Sequence, residues 1–423
     1  MTSLIPFLIL IPVIAAQLGQ QHSPFFSLAQ NSRCSTFSSS FRSKAFTILD
    51  AIYYPAYAPV DLTNGQATVN TTALPAFCRL VLRIVTNPGN GKDAGAELWL
   101  PDEWNERLLG FGNGGWGGGD HTGSMWDGSF AGPGNDDAII DFAWRALHMT
   151  TVVVKSLTTE FYYRPYTKSY FMGCSTGGRQ GIKAMSIFPE DYDGLVLGSP
   201  ANPFGQLMPW QARQGQLVHP VGSPPWIPEK TWNLIHAEAV KQCDMLDGVQ
   251  DGIILDPLAC DFHPETLQCQ SNADASTCLT SERLSALRHL YAPYYVGPNN
   301  QTYVFSPFVP GGEYAYPQGL VGEKLFRMPE DYYRYFVLND TTWQVSMLDE
   351  AVVAMGIDTN PGQMDVSKIL LYQRRNHQLR NALLVRTQTY SPNLTAFFAR
   401  GGKVLQYAGW DDELVSTGHS VSS

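Results

Sequence analysis

Positive charge is scarce in this sequence. Only 28 Lys and Arg stand against 38 Asp and Glu over 423 residues, a formal net charge of −10. That balance argues against nucleic acid or an anionic membrane surface as a partner. Long hydrophobic runs are missing as well. The apolar run Leu4 to Ala16 is too short to span a membrane and ends in small residues. Residues 1–16 therefore read as a signal peptide, cut near Ala15 or Ala16. Its leading residues lack Lys and Arg, so only the amino terminus supplies positive charge; the alternative is a buried N-terminal strand or helix. Charged residues make up only 16% of the chain, while Gly, Pro, Tyr and Phe are plentiful. This describes a loop-rich globular protein, not a disordered one. At this length it can hold one large core, or a core with an inserted domain.

An even cysteine count is also missing. The chain has seven, which in an exported protein implies disulfides and leaves one thiol with no partner inside the chain. Asn-x-Ser/Thr sequons at Asn70, Asn300, Asn339 and Asn393 agree with a secreted, extracellular protein.

What is present centres on Tyr170 to Pro200. Tyr170, Phe171 and Met172 read as a short buried strand. Gly173-Cys174-Ser175-Thr176-Gly177 fits G-x-S-x-G, and Ile182, Met185, Ile187 and Phe188 suggest a helix ending before Pro189. Strand, sharp turn and helix are the setting in which this motif is a nucleophile elbow, with Ser175 raised above the sheet edge over a helix N-terminus. The bland alternative is a glycine-rich turn with an incidental serine.

Other elements follow in order. Leu80–Val85 and Ala96–Leu100 read as a hairpin opening the sheet, and Arg107–Gly112 as a strand. Gly112-Asn113-Gly114-Gly115-Trp116-Gly117-Gly118-Gly119 comes next. Backbone can approach a developing alkoxide closely there, which suits an oxyanion loop. A phosphate-binding loop would need a Lys-Ser/Thr pair that is absent. A helix is expected over Ile140–Leu147 and a strand over Met149–Val154, with His148 between them as an ordinary structural histidine. Leu195–Leu197 and Lys403–Tyr407 read as further strands, and Leu394–Arg400 as a helix. Between residues 202 and 392 βα alternation gives way to Trp, Tyr, Pro and short helical patterns. Within that segment Asp244, Asp247 and Asp251, with Gly248 and Gly252 at the turns, form an oxygen-rich cage suited to a hard cation such as Ca²⁺. A solvated acidic turn is the alternative.

Gly173 to Gly181, followed by Phe188-Pro189-Glu190-Asp191-Tyr192-Asp193-Gly194, strongly resembles the fungal tannase and feruloyl esterase family of serine hydrolases. The resemblance implies an α/β-hydrolase fold with a large inserted lid domain. Residues 17–201 and 393–423 would form the catalytic domain, and residues 202–392 the lid. It implies hydrolysis of aromatic-acid esters, whether small molecules or polysaccharide-linked phenolic esters. Ser175 would be the nucleophile, and Asp412, in preference to Asp411, the acid. The N–H groups of Thr176 and of Gly114 or Gly115 would form the oxyanion hole. Calcium would be held by Asp244, Asp247 and Asp251 with the carbonyls of Val249 and Ile253. Disulfides would join Cys34 to Cys78, Cys243 to Cys260, and Cys269 to Cys278. The aromatic residues Trp210, Trp226, Trp232, Tyr291, Tyr294, Tyr295, Tyr332, Tyr333 and Tyr335 would be lid core or pocket wall. The acyl group and the oligomeric state stay open.

At one place the sequence departs from the family. There a histidine follows the acid by tens of residues, and the cysteine after it pairs with the cysteine beside the nucleophile. Here only His419 follows Asp412, and Cys174 is the cysteine left over. The expectation is a chain shortened at its C-terminus, or a paralogue that has lost its base and serves as a binding protein. The 423-residue chain would then be inert as an esterase, with Lys403–Tyr407 as an open sheet edge and Cys174 a free thiol favouring the thiolate beside a helix N-terminus.

Overall fold

The computed structural model describes residues 31–37, 43–63, 68–117, 126–296, 298–300, 302–348 and 393–418. The two larger sheets are separate. The first is antiparallel and starts with β1 (Phe46–Tyr54); a small ribbon, β2 (Val60–Thr63) with β3 (Thr68–Thr71), lies beyond it. β4 (Phe77–Asn87) pairs with β5 (Lys92–Pro101), and the order is β1-β4-β5. Leu80, Leu82 and Ile84 alternate inward along β4, while Arg79 turns outward to the Glu97 carboxylate across the strand pair. That period-two pattern makes the strand. The hairpin formed by β4 and β5 was expected; its place was not. It belongs to this separate sheet and does not open the parallel one, because β4 takes β1 as its other neighbour. The Cys34–Cys78 disulfide ties residues 31–37 to this sheet.

The second sheet is parallel. It contains β6 (Arg107–Phe111), β7 (Lys168–Cys174) and β8 (Gly194–Gly198), with β11 (Lys403–Tyr407) beside β8, in the order β11-β8-β7-β6. The short hairpin of β9 (Tyr294–Val296) and β10 (Thr302–Phe305) lies in the long segment between β8 and β11.

Eight helices are used below. α1 (Asp136–Ile140) runs through a π-helical turn at Asp141–Arg145 into α2 (Ala146–Tyr162). α3 (Thr176–Ile187) follows β7, and α4 (Phe204–Val218), α5 (Glu229–Cys243), α6 (Ser281–Leu290) and α7 (Met328–Asp331) build the intervening segment. α8 (Thr395–Ala399) precedes β11.

The strand expected at Met149–Val154 is instead part of α2. Its β-branched residues favour a strand locally, but Val153, Leu157 and Phe161 recur at helical spacing and are buried against Leu80, Leu82 and Leu100 of the antiparallel sheet. Burial of that stripe outweighs the propensity. Thr151 also satisfies its hydroxyl within the helix, at 2.8 Å from the Leu147 carbonyl.

Most of the aromatic residues of the intervening segment are core. Trp210, Trp232, Tyr332 and Tyr333 are at most 1% exposed. They share one apolar cluster with Trp116, Phe142 and Phe204, and Trp116 stacks on Phe336 at 4.6 Å. Tyr295 is exposed.

The parallel sheet is covered unequally. One face, with Phe171, Leu195 and Leu197, packs against Ala184 and Met185 of α3 and Phe397 of α8. Cross-strand register puts Leu109, Phe111, Leu405 and Tyr407 on the other face, with Tyr170, Met172 and Val196 between them. Leu109, Phe111, Leu405 and Tyr407 are 43–67% exposed. β11 ends the sheet.

Candidate active site

β7 ends at Cys174 and α3 begins at Thr176. Between them Ser175 has φ 57° and ψ −119°. This is a strained conformation for a residue with a Cβ, held only where its surroundings over-determine it. Three backbone hydrogen bonds do so. Ser175 N–H donates to Gly198 O, and Ser175 O accepts from Arg179 N–H and Ala201 N–H, each at 3.0 Å. Sterics close the rest of the turn. A Cβ on Gly173 would lie 2.5 Å from the Gly177 carbonyl carbon, and one on Gly112 would lie 2.5 Å from Gly177 Cα. The glycines of the motif are there because three backbone segments meet at van der Waals distance.

The glycine-rich loop after β6 is tied to the first two turns of α3. Asn113 N–H donates to Gln180 Oε1 at 3.0 Å, and the Thr176 hydroxyl donates to Gly115 O at 2.7 Å. Trp116, 1% exposed, anchors the loop in the core. Gly114 and Gly115 therefore lie beside Thr176, whose own N–H is at the first helical position and has no carbonyl of the helix to meet.

The turn after β11 brings in Asp412. Its Oδ1 accepts from the N–H groups of Leu414 at 3.0 Å and Val415 at 2.8 Å. Burial pushes the Asp412 carboxyl above the usual range, against hydrogen bonds from Ser199, Val415 and Leu414. Asp412 is close enough to act on Cys174. The thiol is pushed up, first by packing around the sulfur and then by the Asp412 charge. Cys174 is exposed, as expected, but its thiol is raised, by desolvation first and the Asp412 carboxylate second, where a favoured thiolate beside the helix N-terminus was expected. Cys174 is the free cysteine, and the three expected disulfides are all present. Ser175, Cys174 and Asp412, far apart in sequence, are thus brought to one end of the parallel sheet.

Five histidines are described, and each is held elsewhere. His148 Nδ1 is 2.8 Å from Asp191 Oδ2 and its ring stacks on Phe188, the structural role expected of it. His219 faces Gly322 O, His236 faces Glu313, His263 faces Asp261, and His289 faces Ser285 O. His419 and the expected signal peptide, residues 1–16, lie outside the described residues.

In the acidic loop, Gly248 and Gly252 take φ of 88° and 81°, and the Cys243–Cys260 disulfide brackets the turn. Asp244 is buried, and its Oδ1 accepts from Asp251 N–H at 3.3 Å and Gly252 N–H at 3.0 Å. Asp247 Oδ1 accepts from Val249 N–H at 2.8 Å, and Asp251 Oδ1 from Ile253 N–H at 3.1 Å. Among the described residues no three acidic, His or Cys side chains converge as a metal-holding group. The donor set is all oxygen, as a hard cation requires, but each carboxylate is engaged in its own turn.

A parallel sheet with a strained serine between strand and helix, and an acid on a later strand's turn, defines an α/β-hydrolase fold. A family model described as tannase and feruloyl esterase matches residues 118–422. The chain is 34% identical over 387 residues to a “Probable feruloyl esterase B-2” of Aspergillus flavus, covering 86% of this chain and 69% of that one. It is 32% identical over 409 residues to a “Probable feruloyl esterase B-1” of Aspergillus oryzae, covering 91% and 71%. The crystal structure of feruloyl esterase B from Aspergillus oryzae superposes with a TM-score of 0.79 at 30% identity, over 93% of this chain and 77% of that one. Tannin acyl hydrolase from Aspergillus niger shares the fold, with a TM-score of 0.64 at 16% identity. The chain belongs to the tannase and feruloyl esterase family, and by family it is a carboxylic ester hydrolase.

Proposed function

We propose that the protein is a secreted esterase that cleaves hydroxycinnamic or gallic acid esters through an acyl-enzyme on Ser175. The observation that carries this is the strained Ser175 at the elbow, with Asp412 near enough to perturb its neighbour Cys174. Ser175 Oγ attacks the ester carbonyl. The N–H groups of Thr176 and of Gly114 or Gly115 stabilise the oxyanion where charge develops. Asp412 orients a histidine that takes the serine proton and passes it to the departing alcohol. Water then releases the aromatic acid. Feruloyl substrates are supported by what the similar proteins are named for, and gallic esters by the tannase in the family's description. Secretion is supported by the three disulfides, which persist in oxidising compartments. No described helix is long and apolar enough to cross a membrane.

The test is turnover by the purified protein of methyl ferulate, methyl gallate and a simple acetate ester. Preference for an aromatic ester is the expected result. Because every described histidine is held elsewhere, a second reading exists: a protein that binds such esters without cleaving them. Binding of methyl ferulate with no hydrolysis would favour it.

Calcium is proposed as a structural ion on Asp244, Asp247 and Asp251 with the carbonyls of Val249 and Ile253. The support is the all-oxygen donor set and the two positive-φ glycines. Bound there, the ion would offset repulsion among the three carboxylates and stiffen the disulfide-bracketed turn. Chelation is expected to lower the melting temperature and added calcium to restore it. The linkage is about 3 kcal/mol at calcium a few hundred times above Kd. An unchanged melting curve, with no calcium found by elemental analysis, would remove the ion from the proposal.

A further inference from the structure

The turn carrying Asp412 follows a sheet strand, yet its fastenings run mainly to the segment between β8 and β11. The Tyr314 hydroxyl donates to Asp411 Oδ2. Gln211 Nε2, on α4, donates to Leu414 O at 2.8 Å. The Ser416 hydroxyl donates to Pro307 O, and Val415 is buried in the aromatic cluster of the same segment. Gly319 is pressed so close that a Cβ there would lie 2.7 Å from Glu413 O. From the sheet side, Ser199 reaches Asp412.

We propose that Gln211 and Tyr314 are positioning residues: they grip the Leu414 carbonyl and the Asp411 side chain, on either side of Asp412, and so hold its carboxylate in register with the Ser175 elbow. The inference rests on Asp412 serving as the catalytic acid. Asp412 Oδ1 is bonded to the N–H groups of Leu414 and Val415. The carboxylate therefore goes where that short backbone goes, and the carbonyl of Leu414 is what Gln211 holds. Gln211 is 4% exposed, and its Oε1 is buried without a hydrogen-bond partner among the described residues. Leaving such an acceptor unsatisfied is costly. A side chain present only to fill space would do better as methionine, so the amide has its use in the one bond it donates.

Tyr314 fixes the other side. Its ring meets that of His236 edge-on at 5.3 Å. His236 bonds Glu313, a fully buried carboxylate that also accepts from the Tyr291 hydroxyl at 2.6 Å and Gly311 N–H at 3.0 Å. The tyrosine that grips Asp411 therefore packs on a histidine that is itself bonded to a buried carboxylate.

The experiment compares Gln211→Met, Tyr314→Phe, Asp412→Asn and the two pairwise combinations with Asp412→Asn. Two readouts are used: steady-state kinetics on methyl ferulate, and the pH dependence of Cys174 alkylation by iodoacetamide. The thiol serves as a reporter, because Asp412 is one of the groups that raise it. The expected kinetic result is a fall in kcat of roughly 10-fold or more, with KM little changed, for both positioning variants. The expected thiol result is a downward shift of the alkylation profile, in the direction that Asp412→Asn shifts it and no larger. Adding either variant to Asp412→Asn should change neither readout further, because the residues act through that carboxylate.

Additive losses, or effects on KM alone, would overturn the inference. So would an unmoved thiol in both positioning variants when Asp412→Asn does shift it. Normal turnover in Asp412→Asn would instead remove the catalytic acid itself, a different failure. Tyr314 is half-exposed, so Tyr314→Phe keeps the test decisive if Gln211→Met fails to fold. Where the purified chain shows no turnover, the thiol readout decides alone.

Discussion

With a histidine base in place, Ser175→Ala is expected to lower kcat on methyl ferulate by about 10⁴ to 10⁶ while leaving the fold intact. The alkoxide route disappears with the hydroxyl, and no neighbouring group can take its place at the tip of the turn. The strained φ of 57° is set by Gly198 O, Arg179 N–H and Ala201 N–H, all of which bond the backbone of this residue. An alanine meets the same restraints, so the elbow persists and far-ultraviolet circular dichroism should not change. Residual acceleration, roughly 10³ over water, would come from the oxyanion hole and binding. Near-normal kcat in the variant would assign the attack to another residue.

Asp412→Asn should lose about 10⁴ in kcat, because an amide cannot orient and stabilise an imidazolium as a carboxylate does. Stability should move the other way. Burial raises the carboxyl above its unfolded value of 3.8, so the folded state disfavours the charged form. The contribution of this group is then most favourable below that unfolded value and is lost as pH rises through the folded one. At pH 7 the ionised side chain opposes folding, and the neutral amide relieves that. Asn keeps an acceptor for Leu414 and Val415 N–H. The variant is expected to melt at the same or a higher temperature at pH 7, with any gain closing as pH falls toward the unfolded carboxyl value. A variant that is both inactive and clearly less stable at neutral pH would mark Asp412 as structural.

The elbow was legible because its requirements are local. A serine at positive φ between strand and helix needs small residues on both sides, and that leaves a mark in consecutive letters. β11 was readable for a similar reason, a short β run preceded by Gly401-Gly402, and its bounds fall at Lys403 and Tyr407 as expected. The failures were failures of context. Thr151 to Val154 carry strand propensity, and only the packing of Val153, Leu157 and Phe161 on a distant sheet makes them helical. The β4–β5 pair was recognised, but pairing with β1 is a long-range fact. Part of the upward Cys174 shift, after the desolvation of the sulfur, comes from Asp412, which arrives from the other end of the chain. Tyr314 and Gln211 were invisible for the same reason, since their partners lie 97 and 203 residues away. The disulfides followed from the family resemblance, and spacing alone would have left several pairings open.

The unequal covering of the parallel sheet bears on how this protein behaves in a tube. Parallel sheets ordinarily bury both faces, yet Leu109, Phe111, Leu405 and Tyr407 meet solvent on the side away from α3. Sulfate and other excluded salts strengthen the drive to withdraw such surface from water. The molecule is therefore one to salt out early and to cling to phenyl resin. Salts of the sulfate type belong in its capture step, not in its storage buffer.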